Sequence, residues 1–468
     1  MRKGDELELI IEKFADRGKS LTRIDGYVVF VPGAVPGDKV SVRIVRKKKK
    51  FAEARLIKVL EPSPLRTEPV CTYFGSCGGC KWQHVDYPAQ LDAKRQSVME
   101  ALEHHGGYTA IDVNPIIGAD SIFNYRNKME YTFSASRWLT SEEIASGEKF
   151  DTSFALGMHA PGRYNRVLDL QTCYLPAEVS INLVNKFRDF ARKHEWTCWD
   201  IRQHKGYLRH LVVRTGSRTG DLMVNIVTNG FEEERFAMMT EFIQTQFPEV
   251  TTFLNTIHTG VAQVAIGEKQ HIGFGEGIIR DQIGGFTFEI GPGAFFQTNT
   301  VQAEKLYEVT RSFAATKETD LVYDLYCGAG TISIFMAPHV KQVVGVELVP
   351  EAIKNAKANA KANDISNCTF VAGDMKKLFT PEFIQQHGKP DVLIIDPPRA
   401  GMHPKVVEQI VQLRPERFVY VSCNPQTQVR DLKLMGDAFE IEEVQPVDLF
   451  PHTYHIENVI KLRARSAA

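Results

Sequence analysis

The sequence predicts a multidomain protein. A small N-terminal β-barrel is followed by a central α+β domain with a cysteine-rich loop, and then by a C-terminal α/β domain built as a doubly wound sheet. Three observations carry this prediction. The chain has 468 residues, more than one hydrophobic core supports. Short strand-like runs and dense turn signals fill the first sixty residues. In the last third, apolar β-branched runs alternate with helical segments, and each run ends in a polar, turn-rich tip. Composition places the domains at 1–60, 61–290 and 291–468.

The bulk composition narrows the class. Hydrophobic residues make up 43% and charged residues 24%, ordinary for globular chains. No run of about 18 apolar residues exists, so no membrane span is expected. Met1-Arg2-Lys3-Gly4-Asp5 lacks the apolar core of a signal peptide, which makes the cytoplasm the expected compartment. Eight cysteines there read as metal ligands or catalytic groups before disulfides. The net charge of −1 hides an asymmetry. Residues 1–60 hold 15 Lys and Arg against 8 Asp and Glu, a net +7, which leaves −8 for the remainder. A basic module on an acidic body points to a polyanionic partner.

In the N-terminal module, strands are expected at Leu7–Ile11, Gly26–Val31, Lys39–Val45 and Ala52–Leu60. Pro32-Gly33-Ala34-Val35-Pro36-Gly37-Asp38 forms the turn between two of them. A small closed barrel of the nucleic-acid-binding kind fits this length. Arg43, Arg46 and Lys47-Lys48-Lys49-Lys50 make a basic hairpin suited to phosphate contact, which supplies affinity without sequence choice.

Pro62, Pro64 and Pro69 mark a linker. Beyond it, Cys71, Cys77 and Cys80 are spaced C-x5-C-x2-C, with Cys173 as a remote fourth candidate. Zinc sites pair cysteines two to four apart, twice over, whereas one short pair with irregular partners suits an iron–sulfur cluster better. Iron–sulfur, zinc and no metal all remain open on spacing, and the surrounding Gly75, Gly78 and Gly79 allow a tight loop.

The central region carries a helix from Pro88 to about His105, with proline at its start and a face free to pack on either neighbouring domain. Asn124-Tyr125-Arg126-Asn127-Lys128 precedes the strand Met129–Ser134. Arg126 and Lys128 beside an aromatic suit a nucleotide contact, and equally a plain strand edge. The polar stretch Arg137–Thr152 reads as a mobile loop. Helices near Ala177–His194 and Glu232–Gln246 and strands near Leu208–Arg214, Leu222–Thr228 and Thr251–Thr259 complete an α+β pattern.

The C-terminal domain concentrates the chemistry. Leu321–Leu325 ends in Tyr326-Cys327-Gly328-Ala329-Gly330, whose glycines allow a nucleoside to approach the backbone. The next strand ends in Glu347, placed to accept hydrogen bonds from ribose hydroxyls, and Asp374 after the third strand can meet an adenine edge. A glycine turn plus an acid also describes an NAD site. S-adenosylmethionine is favoured because the full G-x-G-x-x-G is missing. The tips Asp396-Pro397-Pro398-Arg399 and Ser422-Cys423-Asn424-Pro425 also have no use in hydride transfer.

A cysteine beside a methyl donor has a specific use. Carbon 5 of uracil is a poor nucleophile. Addition of a thiolate to carbon 6 moves electron density onto carbon 5, which can then take a methyl group. A base must afterwards remove the carbon-5 proton so that the thiol can leave. Cys423, delivered by a buried strand to its C-terminal end, is the expected nucleophile. Glu457 is the expected base, with His452 and His455 as rivals.

Taken together, the four cysteines, Phe296-Gln297-Thr298-Asn299, the Asp324–Gly330 turn, Asp396-Pro397-Pro398-Arg399, Ser422-Cys423-Asn424-Pro425 and His452-Thr453-x-His455-x-Glu457 resemble the RNA uracil-5-methyltransferases. The closest likeness is to the 23S ribosomal RNA members that carry an iron–sulfur cluster. The resemblance covers nearly the whole chain. It implies a TRAM-type RNA-binding barrel and a [4Fe–4S] cluster on Cys71, Cys77, Cys80 and Cys173. It also implies an S-adenosylmethionine pocket lined by Gln297, Tyr326, Gly328, Glu347 and Asp374. Gln297 would lie near the target base, and Asp396 would contact uracil at N3–H and reject cytosine. Cys423 and Glu457 would be nucleophile and base, with the uridine flipped into the pocket. The partner implied is RNA, 23S ribosomal RNA first, with no protein partner indicated.

Two features depart from the family pattern, the polar segment 137–152 and the Lys47–Lys50 run, and both bear on which RNA is bound. Other readings are the same chemistry on transfer RNA, cytosine-5 methylation, a non-catalytic RNA-binding factor and an NAD dehydrogenase. Cytosine enzymes place a cysteine directly after Asp-x-Pro, where this chain has Pro398.

Overall fold

A computed structural model of the chain describes residues 1–465. Its N-terminal strands are β1 (Glu6–Ile10), β2 (Lys13–Phe14), β3 (Ser20–Ile24), β4 (Tyr27–Val31), β5 (Lys39–Lys47) and β6 (Phe51–Glu61). They pair in the order β1-β5-β6-β4-β3-β2. The two outer strands are consecutive in the chain, so the bent segment from Glu6 to Phe14 closes the sheet into a barrel. Val40, Val42 and Ile44 of β5 turn inward onto Val29, Val31 and Ala52 with the period of two that a half-buried strand requires. Lys48, Lys49 and Lys50 form the exposed β5–β6 turn. β2 and β3 escape the sequence pattern, because one has only two residues and the other carries Ser, Thr and Arg. The buried Asp38 joins barrel to linker. It accepts from the Val35 and Ser63 amides and forms a two-pronged ion pair with Arg66 at 2.7 Å.

The middle of the chain forms β7 (Lys128–Ser134), β8 (Arg137–Trp138), β9 (Ala155–His159), β10 (Val167–Asp169), β11 (Leu208–Thr215), β12 (Leu222–Thr228), β13 (Thr252–Ile257) and β14 (Lys269–Phe274). These make one sheet in the order β14-β13-β12-β11-β7-β9-β10-β8. The helices Glu178–Lys193 and Glu233–Gln246 bury Val184, Phe187, Met239 and Ile243 in its core. The stretch 137–152 is not wholly a loop: it holds β8 and the helix Ser141–Ser146. Thr140 accepts from the Glu143 amide while Glu143 accepts from the Thr140 amide, a capping box that the polar composition obscures.

Two segments from this half pack on the C-terminal sheet. The helix Tyr87–Glu100 runs into a π-turn at Ala101–Gly106, and Val98, Ala101 and Leu102 share a core with Tyr420 and Val429. The hairpin β15 (Ile279–Ile283) and β16 (Phe286–Ile290) buries Ile279, Ile283 and Phe288 against the opposite face. Its turn residues Gly284 and Gly285 have φ of 58° and 84°, the mirror-image turn that matches strand twist.

The C-terminal sheet comprises β17 (Leu321–Leu325), β18 (Gln342–Glu347), β19 (Cys368–Ala372), β20 (Val392–Ile395), β21 (Arg417–Ser422), β22 (Phe439–Val447) and β23 (Glu457–Ala464). The order is β19-β18-β17-β20-β21-β23-β22. The first five strands are parallel, and β23 runs antiparallel to both its neighbours. From β17 the chain winds outward through β18 and β19, then crosses back to β20. The carboxyl ends beside that switch point form the crevice where such sheets bind ligands. No helix among the described residues is long and apolar enough to cross a membrane.

Candidate active site

The carboxyl ends of five strands, β17 to β21, line this crevice. β17 leads into Tyr326, which holds a left-handed φ of 65°, a conformation a bulky residue adopts only where its surroundings impose it. Burial, then the charges of Asp431, Asp374 and Glu347, push its phenol up to about 12. The Gly328 amide donates to Glu347 Oε2 at 3.3 Å, and the Val349 amide to Oε1 at 2.9 Å. The loop after β17 is thus tied to the acid at the end of β18. Gly330 turns the chain into the helix Thr331–Met336 with φ of 78°. A Cβ there would meet Ala356 and Phe370 at 3.0 Å. Asp374 caps the short helix Met375–Leu378 by accepting from the Lys376 amide. The expected nucleoside-binding residues Tyr326, Gly328, Glu347 and Asp374 therefore share one rim. Gln297 is buried just before the helix Thr300–Ala314, and its carbonyl accepts from Asn127 Nδ2 at 2.9 Å.

Cys423 follows β21. Asn424 caps the next helix by accepting from the Gln426 amide, and its Nδ2 donates to the Arg399 carbonyl at 3.1 Å. This ties the Cys423 tip to the Asp-Pro-Pro-Arg tip. Burial first, then the charge of Glu457, push the Cys423 thiol up to about 11, while Arg399 pulls the other way. Glu457 opens β23 and is 4% exposed. Desolvation and the neighbouring Asp396 hold its carboxyl well above the usual range, with Arg399 opposing. Desolvation also lifts Asp396, to about 7. Two carboxyls, one thiol and one guanidinium thus act on each other within one site.

The rival bases are poorly placed to take a proton near neutral pH. Burial, then the positive charges of Arg399 and Lys94, lower His455 to about 4, and its Nδ1 accepts from Arg399 at 2.5 Å. Burial and Lys94 likewise lower His452 to about 4. Its ring stacks on Phe123 with centroids 4.3 Å apart.

Beside Cys423 opens a cavity of about 790 Å³. Arg399, Tyr454 and His455 form one wall, Lys13, Phe14 and Arg17 of the barrel another, and His104 and His105 of the π-turn a third. The sequence did not point to this shared cavity, because it depends on where the barrel sits.

Of the two basic residues around the start of β7, Arg126 donates to the Lys128 carbonyl, and its charge is felt at both His455 and Cys173. Lys128 is paired with Glu130, and burial lowers its ammonium. It is thus partly neutralised as a phosphate contact.

The cluster expected on the four cysteines is not shown by the structure. Among the described residues no three or more His, Cys, Asp or Glu side chains are grouped so as to hold a metal ion, so the structure does not support a formed [4Fe–4S] site. Cys71, Cys77, Cys80 and Cys173 do share one neighbourhood, since Cys80 is raised by burial and then by the charges of the other three. Burial pushes Cys80 up to about 12 and Cys173 to about 11, with Cys71 and Cys77 also raised. The Gly79 amide and Gln83 Nε2 each donate to a sulfur, Cys77 at 3.4 Å and Cys80 at 3.2 Å.

Comparison with known proteins bears on this arrangement. The tRNA (uracil-5-)-methyltransferase family model matches residues 237–465, and the TRAM domain model matches residues 2–57. An uncharacterized RNA methyltransferase of Bacteroides thetaiotaomicron is 44% identical over 96% of this chain and 100% of its own. One from Chlorobaculum tepidum is 44% identical over 98% and 96%. The crystal structure of the Pyrococcus abyssi tRNA (uracil-54, C5)-methyltransferase with S-adenosyl-L-homocysteine superposes with a TM-score of 0.75. It is 26% identical and covers 97% of this chain and 100% of its own.

Proposed function

This chain belongs to the RNA uracil-5-methyltransferases, with a TRAM domain at its N-terminus, and we propose that it methylates carbon 5 of a uridine in 23S ribosomal RNA. The observation that carries the reading is the convergence of Cys423, Asp396, Glu457 and Arg399 at the switch point of the sheet.

S-adenosylmethionine, when bound against Tyr326, Gly328, Glu347, Asp374 and Gln297, supplies an electrophilic methyl group. Cys423 adds as thiolate to carbon 6 of the flipped uracil, and Arg399 favours that anion. Carbon 5, made nucleophilic by the addition, takes the methyl. Glu457 then removes the carbon-5 proton, the C6–S bond breaks, and Cys423 leaves as thiolate with 5-methyluridine released. Burial and the charge of Asp396 raise the Glu457 carboxyl, which makes its ionised form a stronger base. Asp396, beside it, accepts from uracil N3–H, a group cytosine lacks.

The cavity beside Cys423 supports a path for RNA between barrel and catalytic sheet, with Arg126, Lys128 and the Lys47–Lys50 turn as candidate contacts. A second reading, the same chemistry on transfer RNA, is favoured by the substrate named for the Pyrococcus abyssi protein. A [4Fe–4S] cluster on Cys71, Cys77, Cys80 and Cys173 remains a proposal that rests on the donor set and its shared neighbourhood. Iron and acid-labile sulfide in anaerobically purified protein test it.

Incubation with methyl-labelled S-adenosylmethionine and unmodified ribosomal or transfer RNA transcripts, followed by nucleoside chromatography, tests the function. Label in 5-methyluridine from ribosomal RNA is expected. Label from transfer RNA alone moves the substrate, and label in 5-methylcytidine overturns the pocket assignment. Cys423→Ala should abolish transfer while binding S-adenosylhomocysteine normally.

A further inference from the structure

The segment Asp448–Ile456 joins β22 to β23 and delivers Glu457 to the site. A buried polar set that fixes its first half comes from a helix more than 350 residues earlier in the chain, alongside bonds from Ile117, Tyr125, Asn299 and Gln302. Tyr87, Gln90 and Lys94 recur at i, i+3 and i+7 on the helix Tyr87–Glu100, so they lie on one face. That face would ordinarily be apolar, yet Gln90 and Lys94 are fully buried there. Lys94 Nζ donates to Asp448 Oδ1 at 2.6 Å and to the Phe450 carbonyl at 3.0 Å. Tyr87 donates to Asp448 Oδ2 at 2.9 Å, and the His452 amide donates to Gln90 Oε1 at 2.8 Å. Asp448 also accepts from the Phe450 amide at 2.9 Å. Lysine and aspartate side chains both 0% exposed are a costly way to fasten two elements, since apolar residues of similar volume hold as well or better. What the polar set adds is directional control of a backbone that an apolar contact would let slide.

We propose that Lys94, with Asp448, Tyr87 and Gln90, is a positioning group that sets Glu457 at the distance and angle needed to take the carbon-5 proton. The proposal rests on the assignment of Glu457 as base. It makes the helix Tyr87–Glu100 part of the catalytic apparatus, although it lies outside the C-terminal third. Lys94 also helps keep His455 neutral, so that His455 remains an acceptor for Arg399. A shift in the segment would therefore act on the base more than on the nucleophile, whose strand and capping helix pack on Val98 of this helix and make no hydrogen bond to the four clamp residues.

The test uses the full chain, methyl-labelled S-adenosylmethionine and whichever transcript accepts the label. The double variant Lys94→Met/Asp448→Leu removes both charges together, so no uncompensated ion is left buried. Its kcat should fall about 10-fold to 100-fold, as for a displacement of about 1 Å. KM for RNA and affinity for S-adenosylhomocysteine should stay within about twofold. A covalent RNA–protein adduct should accumulate on denaturing gels, because elimination slows more than attack. Tyr87→Phe, which deletes one hydroxyl, should show the same pattern more weakly and serves if the double variant does not fold. Wild-type kcat in a folded variant overturns the proposal, and so does a fall in kcat without adduct and with S-adenosylhomocysteine binding lost. Glu457→Gln run in parallel separates the two ideas. If it turns over normally, the assignment of the base has failed. If it stalls with adduct while the Lys94 and Tyr87 variants do not, only the clamp has failed.

Discussion

Arg399 opposes the burial that keeps Cys423 protonated, and its removal is the sharpest probe of the site's electrostatics. With the thiol near 11, about one molecule in a thousand carries a thiolate at pH 8. An opposite charge within reach is worth about 1–3 pKa units. Arg399 is exposed, so solvent screening puts its effect at the low end, about one unit. Arg399→Gln should therefore lower the thiolate fraction about tenfold. Iodoacetamide reacts with the thiolate, so alkylation of the Cys423 peptide, followed by mass spectrometry, reads that fraction directly. The expected result is an alkylation rate at pH 8 that drops about tenfold in Arg399→Gln and largely recovers in Arg399→Lys. In all three proteins the rate should rise about tenfold per pH unit below the thiol's own value. Buried Cys198 and Cys327 serve as internal controls that should not change. An equal or faster rate at Cys423 in Arg399→Gln refutes the reasoning, because the guanidinium would then not be stabilising the anion.

Replacing Lys47–Lys50 by alanine should weaken RNA binding at low salt. The plot of log affinity against log salt should flatten by about 0.7–0.9 for each phosphate that is no longer neutralised. An unchanged slope would make this turn a solvated loop. Gly330→Ala forces a side chain into a left-handed turn 3.0 Å from Ala356 and Phe370. Thermal melts should show a loss of about 1–3 kcal/mol and a smaller gain from added S-adenosylhomocysteine. Asp38→Ala should destabilise by about 2–3 kcal/mol through loss of its bonds to Val35, Ser63 and Arg66. Desolvation works against it, but the hydrogen bonds from Arg66, Ser63 and Val35 together hold the Asp38 carboxyl below its ordinary 3.8. Its contribution should thus be fully present above that value and lost as the pH falls through the lower folded value. Acid titration of wild type against Asp38→Asn should show that difference disappearing.

Much of the molecule is legible in the chain itself. β17, β18, β20 and β21 announce themselves as apolar runs with polar tips, and Cys423, Asp396 and Glu347 sit where those runs end. The site at the carboxyl ends follows from local signals plus one rule of sheet topology. Barrel strands with strict alternation, such as β5, are equally plain, whereas β2 is too short to show a period. The helix Tyr87–Glu100 is legible as a helix, but its polar inner face gives no hint of its partner, because Asp448 lies 354 residues away. The same separation hides the cavity shared by Lys13, Phe14 and Arg17 with Cys423, and it hides Arg399's hold on His455. The cysteine spacing marks out a loop and four thiols in one neighbourhood, but the grouping that would hold a metal depends on side-chain geometry and charge. Elements and strand-end residues were thus set by local sequence, through side-chain period and turn chemistry. The raised Cys423, Asp396 and Glu457, the lowered His455 and the Lys94 clamp were decided only by tertiary structure. Burial and charge–charge coupling depend on distances through space that no local pattern encodes.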